Sequence, residues 1–179
     1  MYVFGGNDAL KNDLCLEILN FETCRWENPI ISGDQPCGRR SHCCWVYNDK
    51  MYIFGGYQHT RRQHLNTLHE FNPETSRWRY LELNGLRCPI ARQRHCAVVV
   101  NNRVFLFGGL TPVIHWSVPI DVECLVEICD LHVLSYELKL KDLCVIALQK
   151  NKPNDEILNM LPYDLRFDLR MMTTTNPVS

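Results

Sequence analysis

The sequence predicts an all-β protein assembled from repeated units of about 50 residues, followed by a short helical segment. Three observations lead there. First, the run Met51-Tyr52-Ile53-Phe54-Gly55-Gly56 has counterparts in Met1-Tyr2-Val3-Phe4-Gly5-Gly6 and Val104-Phe105-Leu106-Phe107-Gly108-Gly109. Each is a short β-branched and aromatic run stopped by two glycines, the pattern of a buried strand ending in a sharp bend. Second, the flanks recur. An Arg stands three residues before a His upstream of two copies, as Arg39 with His42 and Arg92 with His95. A turn and a tryptophan follow two copies, as Glu22-Thr23-Cys24-Arg25-Trp26 and Glu74-Thr75-Ser76-Arg77-Trp78. Third, from Leu140 the apolar residues fall at helical rather than strand spacing.

A repeat of this length with a glycine pair and a later Trp resembles the kelch repeat. In that family each repeat is a four-stranded blade, and the blades stand radially around an axis. Repetition has a physical cause: a sheet with two apolar faces cannot bury both alone. The resemblance implies a partial kelch β-propeller of about two and a half blades over residues 1–138.

In chain order, residues 1–32 form an incomplete blade that begins at its second strand. Met1 stands where Met51 stands in the next repeat. A start in mid-blade is expected of a fragment, an alternative start or an incomplete version of a longer protein. Residues 38–83 hold a complete blade: the strand Ser41–Tyr47, the turn Asn48-Asp49-Lys50, the strand Met51–Phe54, a polar loop Tyr57–Leu65, and outer strands Leu68–Phe71 and Trp78–Leu83. Connectors rich in Gly and Pro flank it at 33–37 and 84–91. The next hairpin is His95–Val100 with Arg103–Phe107. The period then breaks. Leu110–Cys129 is a long loop, of the kind that is usually functional or disordered. The strand Asp130–Tyr136 follows without an outer Trp-bearing partner. Such an arc leaves sheet edges and an apolar face open, so the chain is expected to be unstable or to aggregate alone.

Composition excludes several classes. At net charge −1 there is no bulk attraction to nucleic acid or to an anionic membrane. No apolar run approaches the roughly 18 residues of a membrane span. The ten cysteines include no Cys-x-x-Cys pair, so a zinc or redox motif is poorly supported. A reduced, structural role fits the cytosol or nucleus. No metal, cofactor or catalytic residue is expected. The seven histidines fall at repeat-framework, strand or loop positions, and none pairs with a nucleophile and an orienting group.

The helical segment spans 139–172. Leu140, Leu143, Cys144, Ala147 and Leu148 share one helix face. Pro153 ends this helix. Asn154 caps a second one, Asp155–Leu161, and Pro162 suits the first turn of a third. Residues 173–179 are a polar tail expected to be disordered. The Leu140, Cys144, Leu148 spacing resembles an elongin-binding box, with Lys139 standing where that box usually carries a small residue. Leu161-Pro162-Tyr163-Asp164-Leu165 resembles a cullin-2 box. Together with the repeats, these segments resemble kelch-repeat substrate receptors of cullin-2 ubiquitin ligases. The resemblance implies a non-catalytic receptor subunit. It would bind the elongin B/C adaptor and cullin-2 through Leu140, Leu143, Cys144, Leu148, Leu161, Pro162 and Leu165, and substrates through a C-terminal degron, often ending in glycine. A carboxylate is well matched by arginine. Arg39, Arg40, Ser41, Arg92 and Arg94 sit where connectors meet the first strands of successive blades, and are the candidate readers. A kelch scaffold or cytoskeletal interaction protein without a ligase link, and a truncated non-functional isoform, are the rival readings.

Overall fold

The computed structural model describes residues 1–6, 16–83, 88–113, 124–137, 140–151, 154–171 and 175–177. Three sheets form successive blades. Blade 1 holds β1 (Tyr2–Phe4), β2 (Leu16–Asn20) and β3 (Arg25–Glu27), paired antiparallel in that order. β4 (Ser32–Gly33) crosses to blade 2 and lies parallel to its outermost strand. Blade 2 runs outward as β5 (Cys43–Tyr47), β6 (Lys50–Phe54), β9 (Leu68–Asn72) and β10 (Arg77–Leu81). Between β6 and β9 a small hairpin, β7 (Tyr57–Gln58) with β8 (Gln63–His64), occupies the segment expected to be a plain polar loop. Blade 3 repeats the order with β11 (Cys96–Val100), β12 (Arg103–Phe107) and β15 (Leu131–Ser135). The expected long loop is tied at its base by β13 (Leu110–Pro112) and β14 (Leu125–Glu127). Its central residues, 114–123, lie outside the described residues.

Two expectations need correction. The polar tail contributes β16 (Thr175–Pro177), which pairs in parallel with the outer edge of β15. An unpaired strand edge offers a row of free N–H and C=O groups, and the tail backbone meets it. The arc is a partial propeller, as expected: among the described residues blade 1 has three strands and no counterpart of the innermost strands β5 and β11. The first strand of blade 2 begins at Cys43 rather than Ser41, because Ser41 has φ +55° and cannot continue a strand.

Turn chemistry sets the hairpins. Asn48 and Asp49 both have positive φ (48° and 57°), the combination that matches strand twist in a two-residue β-turn. Alternate side chains of each strand point to opposite faces, so each blade has two apolar faces. Met51, Ile53, Phe71 and Trp78 of blade 2 pack against Phe4 and Leu16 of blade 1. Trp45, Tyr52, Phe54, Leu68 and Leu81 pack on Val104, Leu106 and Leu134 of blade 3. Glu70, buried on blade 2, is held by Lys50 Nζ at 3.1 Å and by the Tyr52 hydroxyl at 2.7 Å.

The glycine pairs lock neighbouring blades together. A Cβ on Gly55 (φ +67°) would lie 2.7 Å from the His95 ring and 2.8 Å from the Arg92 carbonyl oxygen, both in blade 3. Gly108 has nearly the same φ, +69°, yet a Cβ there would meet only the Ile128 carbonyl oxygen at 3.7 Å. Alanine at either site bears a left-handed backbone cost of about 1 kcal/mol. Gly55→Ala adds overpacking and is expected to cost about 3 kcal/mol in all, against about 1 for Gly108→Ala. Urea unfolding of the two variants measures the difference, and equal losses would refute the wedge.

Candidate functional site

The segments Arg39-Arg40-Ser41-His42 and Arg92-Gln93-Arg94-His95 occupy equivalent places in blades 2 and 3, at the end of the arc where the glycine pairs turn. The structure divides the five predicted readers into two groups. Arg39 is 3% exposed, and its guanidinium donates to the Gly55 carbonyl at 3.2 Å and to Thr67 Oγ1 at 2.9 Å. Arg92 is fully buried; it donates to the Gly108 carbonyl at 3.2 Å and makes a two-pronged pair with Asp130 at 2.6 and 2.7 Å. Both guanidinium groups also bond backwards through Nε, to the carbonyls of Cys37 and Ile90. This corrects their assignment as carboxylate readers: buried and engaged inside the blade, they clamp the glycine turn to the start of the third strand.

The histidines belong to the same framework. His42 lies edge-on to Phe4 of blade 1, and His95 edge-on to Phe54 of blade 2. His95 Nε2 is 2.9 Å from Cys43 Sγ. Burial, and then the Arg39 charge, lower the pKa of His42 to about 4; burial, and then the Arg92 charge, do the same for His95. Both rings are neutral at physiological pH. Burial also pushes the Cys43 thiol far up, which keeps it protonated and inert.

The other three residues keep part or all of their surface exposed. Arg40 is half-buried and lies over the Tyr57 ring, 5.2 Å from its centre, with its backbone exchanging two hydrogen bonds with Tyr57. Ser41 (φ +55°) and Arg94 (φ +56°) sit at matching bends of adjacent blades, and the Arg94 N–H donates to the Ser41 carbonyl at 2.8 Å. Arg94 is exposed and Ser41 half-buried. The structure thus places Arg40, Ser41 and Arg94 at one blade junction, beside the β7–β8 hairpin. Tyr57, which supports Arg40, reads in the sequence only as the start of a polar loop; its place directly after Gly55-Gly56 is the available signal for more.

The helical segment leaves from the opposite end. β15 runs from Leu131, opposite Phe107, to Ser135, opposite Arg103. Beyond it, the Tyr136 hydroxyl accepts from Trp45 Nε1 at 2.6 Å, and the Tyr136 ring stacks on Tyr47. The five residues of β15 span roughly 17 Å at strand spacing, from the arginine end to the end where Tyr136 lies. The helices are α1 (Leu140–Asn151), α2 (Asp155–Met160) and α3 (Tyr163–Met171). Asn154 caps α2 as expected, its side chain accepting from the Ile157 N–H. Pro162 directly precedes α3, and its carbonyl accepts from Leu165 and Arg166.

α1 packs with α3 and turns Val145 inward at 1% exposure. Leu140 and Leu143 are 78% and 48% exposed, and Cys144 is also exposed. Leu148, Leu161 and Leu165 are half-buried, and Pro162 is exposed. Lys139 and Pro153 lie outside the described residues.

Known proteins share this pattern. Residues 1–125 match the KLHDC2/KLHL20/DRC7 Kelch-repeats domain family. Kelch domain-containing protein 3 of Homo sapiens is 34% identical over 188 aligned residues, covering 100% of this chain and 48% of that protein. Kelch domain-containing protein 2 of Bos taurus is 37% identical over 97 residues, with 54% of this chain and 23% of that protein covered. The Bos taurus Rab9 effector protein with kelch motifs is 33% identical over 112 residues, covering 62% of this chain and 30% of that protein. The chain spans about half the length of the first of these relatives. With the family's domain matched over most of its length and the blades in place, the chain belongs to the kelch-repeat family.

Proposed function

We propose that the chain is a substrate-recognition subunit of a cullin-2 RING ubiquitin ligase, acting by binding alone. The elongin B/C adaptor docks on Leu140, Leu143, Cys144 and Leu148 of α1. Cullin-2 docks near Leu161, Pro162 and Leu165. A substrate's free C-terminus is held at the other end by Arg40 and Arg94, with Ser41 between them. The cytosol or nucleus, where thiols stay reduced, is the expected compartment.

The observation that carries this reading is the outward apolar ridge of α1. A helix that only padded a blade would turn its leucines inward, yet Leu140 is 78% exposed while Val145 is the one α1 side chain sealed among the described residues. Burying one such leucine is worth about 1.5–3 kcal/mol. Leu140→Asp adds the desolvation of a carboxylate, so adaptor affinity is expected to fall roughly a hundredfold or more. Titration of purified elongin B/C onto the wild type and variant measures it, with an unchanged thermal midpoint expected because Leu140 packs on little. Undiminished adaptor binding would remove the ligase assignment.

The substrate half has its own test. Arg40→Glu is expected to abolish binding of a peptide with a free C-terminus, and amidating the peptide is expected to do the same. An amidated peptide that bound as tightly as the acid would rule out carboxylate capture. A kelch scaffold without a ligase link is the second reading. The similarity to a protein named as a Rab9 effector favours it, and retention of a protein partner without elongin binding would select it.

A further inference from the structure

Blade 2 carries a basic projection that the repeat itself does not require. Its hairpin β7–β8 begins directly after Gly55-Gly56, and the matching hairpin of blade 3, β13–β14, begins directly after Gly108-Gly109. The two join their blades alike: Arg40 bridges to Tyr57 as Gln93 bridges to Leu110. Their chemistry differs. The blade 2 hairpin turns through His59, Thr60, Arg61 and Arg62, all exposed, and Arg62 (φ +48°) donates its N–H to the His59 carbonyl at 3.2 Å. Residues 110–129 of blade 3 contain no Arg or Lys. A side chain that every junction needs recurs, as Arg39 and Arg92 do; Arg40, Arg61 and Arg62 do not.

The projection is fixed at its base. Tyr57 and His64 stand opposite each other there, 5% and 8% exposed, with ring centres 4.9 Å apart. The Leu65 N–H donates to the Gly56 carbonyl at 2.9 Å, and the Leu65 carbonyl accepts from the Arg92 N–H at 3.1 Å, which ties the returning strand to blade 3. An element ordered in advance loses little freedom on binding. Blade 2 is packed on both faces, so this hairpin is no open sheet edge or face. Residues 37–47, 55–67 and 88–97, which build this end of the junction, contain no Asp or Glu, although the net charge of the chain is only −1. Arg39 and Arg92 are engaged inside the blades, and Arg40, Arg61, Arg62 and Arg94 are the arginines of these segments that reach the surface.

We infer that the β7–β8 hairpin is a second anchor for the bound peptide, selecting substrates with acidic residues shortly before their free C-terminus. The inference rests on capture of that terminus by Arg40, Ser41 and Arg94. Two residues separate Tyr57 from His59 and His64 from Arg62, roughly 7 Å at strand spacing. An extended peptide covers that distance in about two residues, and the arginine side chains reach farther, so the residues read lie about two to five places before the terminal one. Carboxylates there meet guanidinium groups whose planar fork suits them. Nucleic acid is the poorer fit, because Tyr57, the ring beside Arg40, is buried and offers no face on which a base could stack.

Fluorescence anisotropy of the full chain with short labelled peptides tests this. Each peptide ends in glycine and carries either glutamate or alanine at the third and fifth places before it. The glutamate peptide is expected to bind about fivefold more tightly at about 50 mM salt, as two exposed charge pairs provide, with the gap narrowing at about 300 mM. The gap is expected to vanish in the double variant Arg61→Gln, Arg62→Asn. Asparagine tolerates the left-handed backbone at position 62, and circular dichroism checks the fold. Arg61→Gln alone, which leaves that position untouched, is expected to cut the gap to about twofold. Equal binding of the two peptides, with amidation weakening both, would leave carboxylate capture standing and overturn the hairpin anchor. A glutamate preference that survives the double variant would overturn the anchor as well. Indifference to amidation with the glutamate preference intact would overturn capture and the two-point arrangement together, as would binding of neither peptide. Single-stranded DNA displacing the glutamate peptide more strongly than polyglutamate does would make nucleic acid the occupant and overturn the peptide assignment.

Discussion

Acidification from pH 6.5 toward about 4 is expected to unfold the arc, with a steepness approaching three protons. His42, His69 and His95 each have a pKa lowered from 6.5 to about 4, with burial as the largest cause. The Arg39 charge adds to the lowering at His42 and His69, and the Arg92 charge at His95; the Asp34 charge acts the other way on His69. The sign follows from proton binding. Below 6.5 the unfolded chain takes up protons on these rings while the folded chain refuses them until about 4. Stability is therefore fully present above 6.5 and drains away as the pH falls through that window. Each ring at full uptake contributes a slope of about 1.4 kcal/mol per pH unit. The rings have no room to charge. His42 and His95 are wedged between glycine pairs and phenylalanines, and His69 lies against Trp78 and Tyr80. Urea midpoints between about pH 7 and about pH 5 measure the effect. His95→Gln is expected to remove about one proton from the slope. Midpoints flat across that range would show that the buried neutral rings contribute nothing.

The wheel architecture was legible because it is written three times. One glycine pair after an apolar run is a weak signal, but Gly5-Gly6, Gly55-Gly56 and Gly108-Gly109 at near-equal spacing define a unit and its boundaries. The helix start at Leu140 and the Asn154 cap were legible from local chemistry alone. Partner choice between distant segments was not. The residues Thr175-Asn176-Pro177 have no apolar alternation, so nothing marks them as a strand; they pair because β15 leaves a backbone edge unfilled. Charge misled in the same way. Arg39 and Arg40 are adjacent arginines, and composition cannot tell a clamp from a reader. Periodicity could have: Arg39 recurs as Arg92 in the next repeat, whereas Arg40 is replaced there by Gln93. A residue shared by both repeats serves what both repeats need, which is a glycine turn held shut.

Arg92→Met is accordingly expected to be among the costlier single changes in blade 3, losing about 2–3 kcal/mol, because the Asp130 side chain is 37% exposed and solvent screens part of the charge left behind. The substitution keeps most of the side chain's apolar length. It removes the donor to the Gly108 carbonyl and leaves Asp130 with its contact to His132, whose Nε2 is 2.8 Å from the carboxylate. Burial pushes the Asp130 carboxyl up, but hydrogen bonds from Arg92 and His132 and their charges outweigh it and hold the pKa below the ordinary 3.8. A carboxylate held low stabilises the fold above its unfolded value, and that contribution disappears as pH falls through the lowered one. The acid limb due to Asp130 should thus shrink in Arg92→Met, while the histidine limb at higher pH persists. Two controls separate the clamp from general damage. Arg94→Met, on an exposed side chain of the same segment, is expected to change stability by no more than about 0.5 kcal/mol. Arg39→Met is expected to cost less than Arg92→Met, because its partner beyond the glycine carbonyl is the neutral Thr67 hydroxyl rather than a carboxylate. Equal losses for Arg39→Met and Arg92→Met would mean that the ion pair adds nothing to the clamp, and that the glycine carbonyl is the contact that matters in both blades.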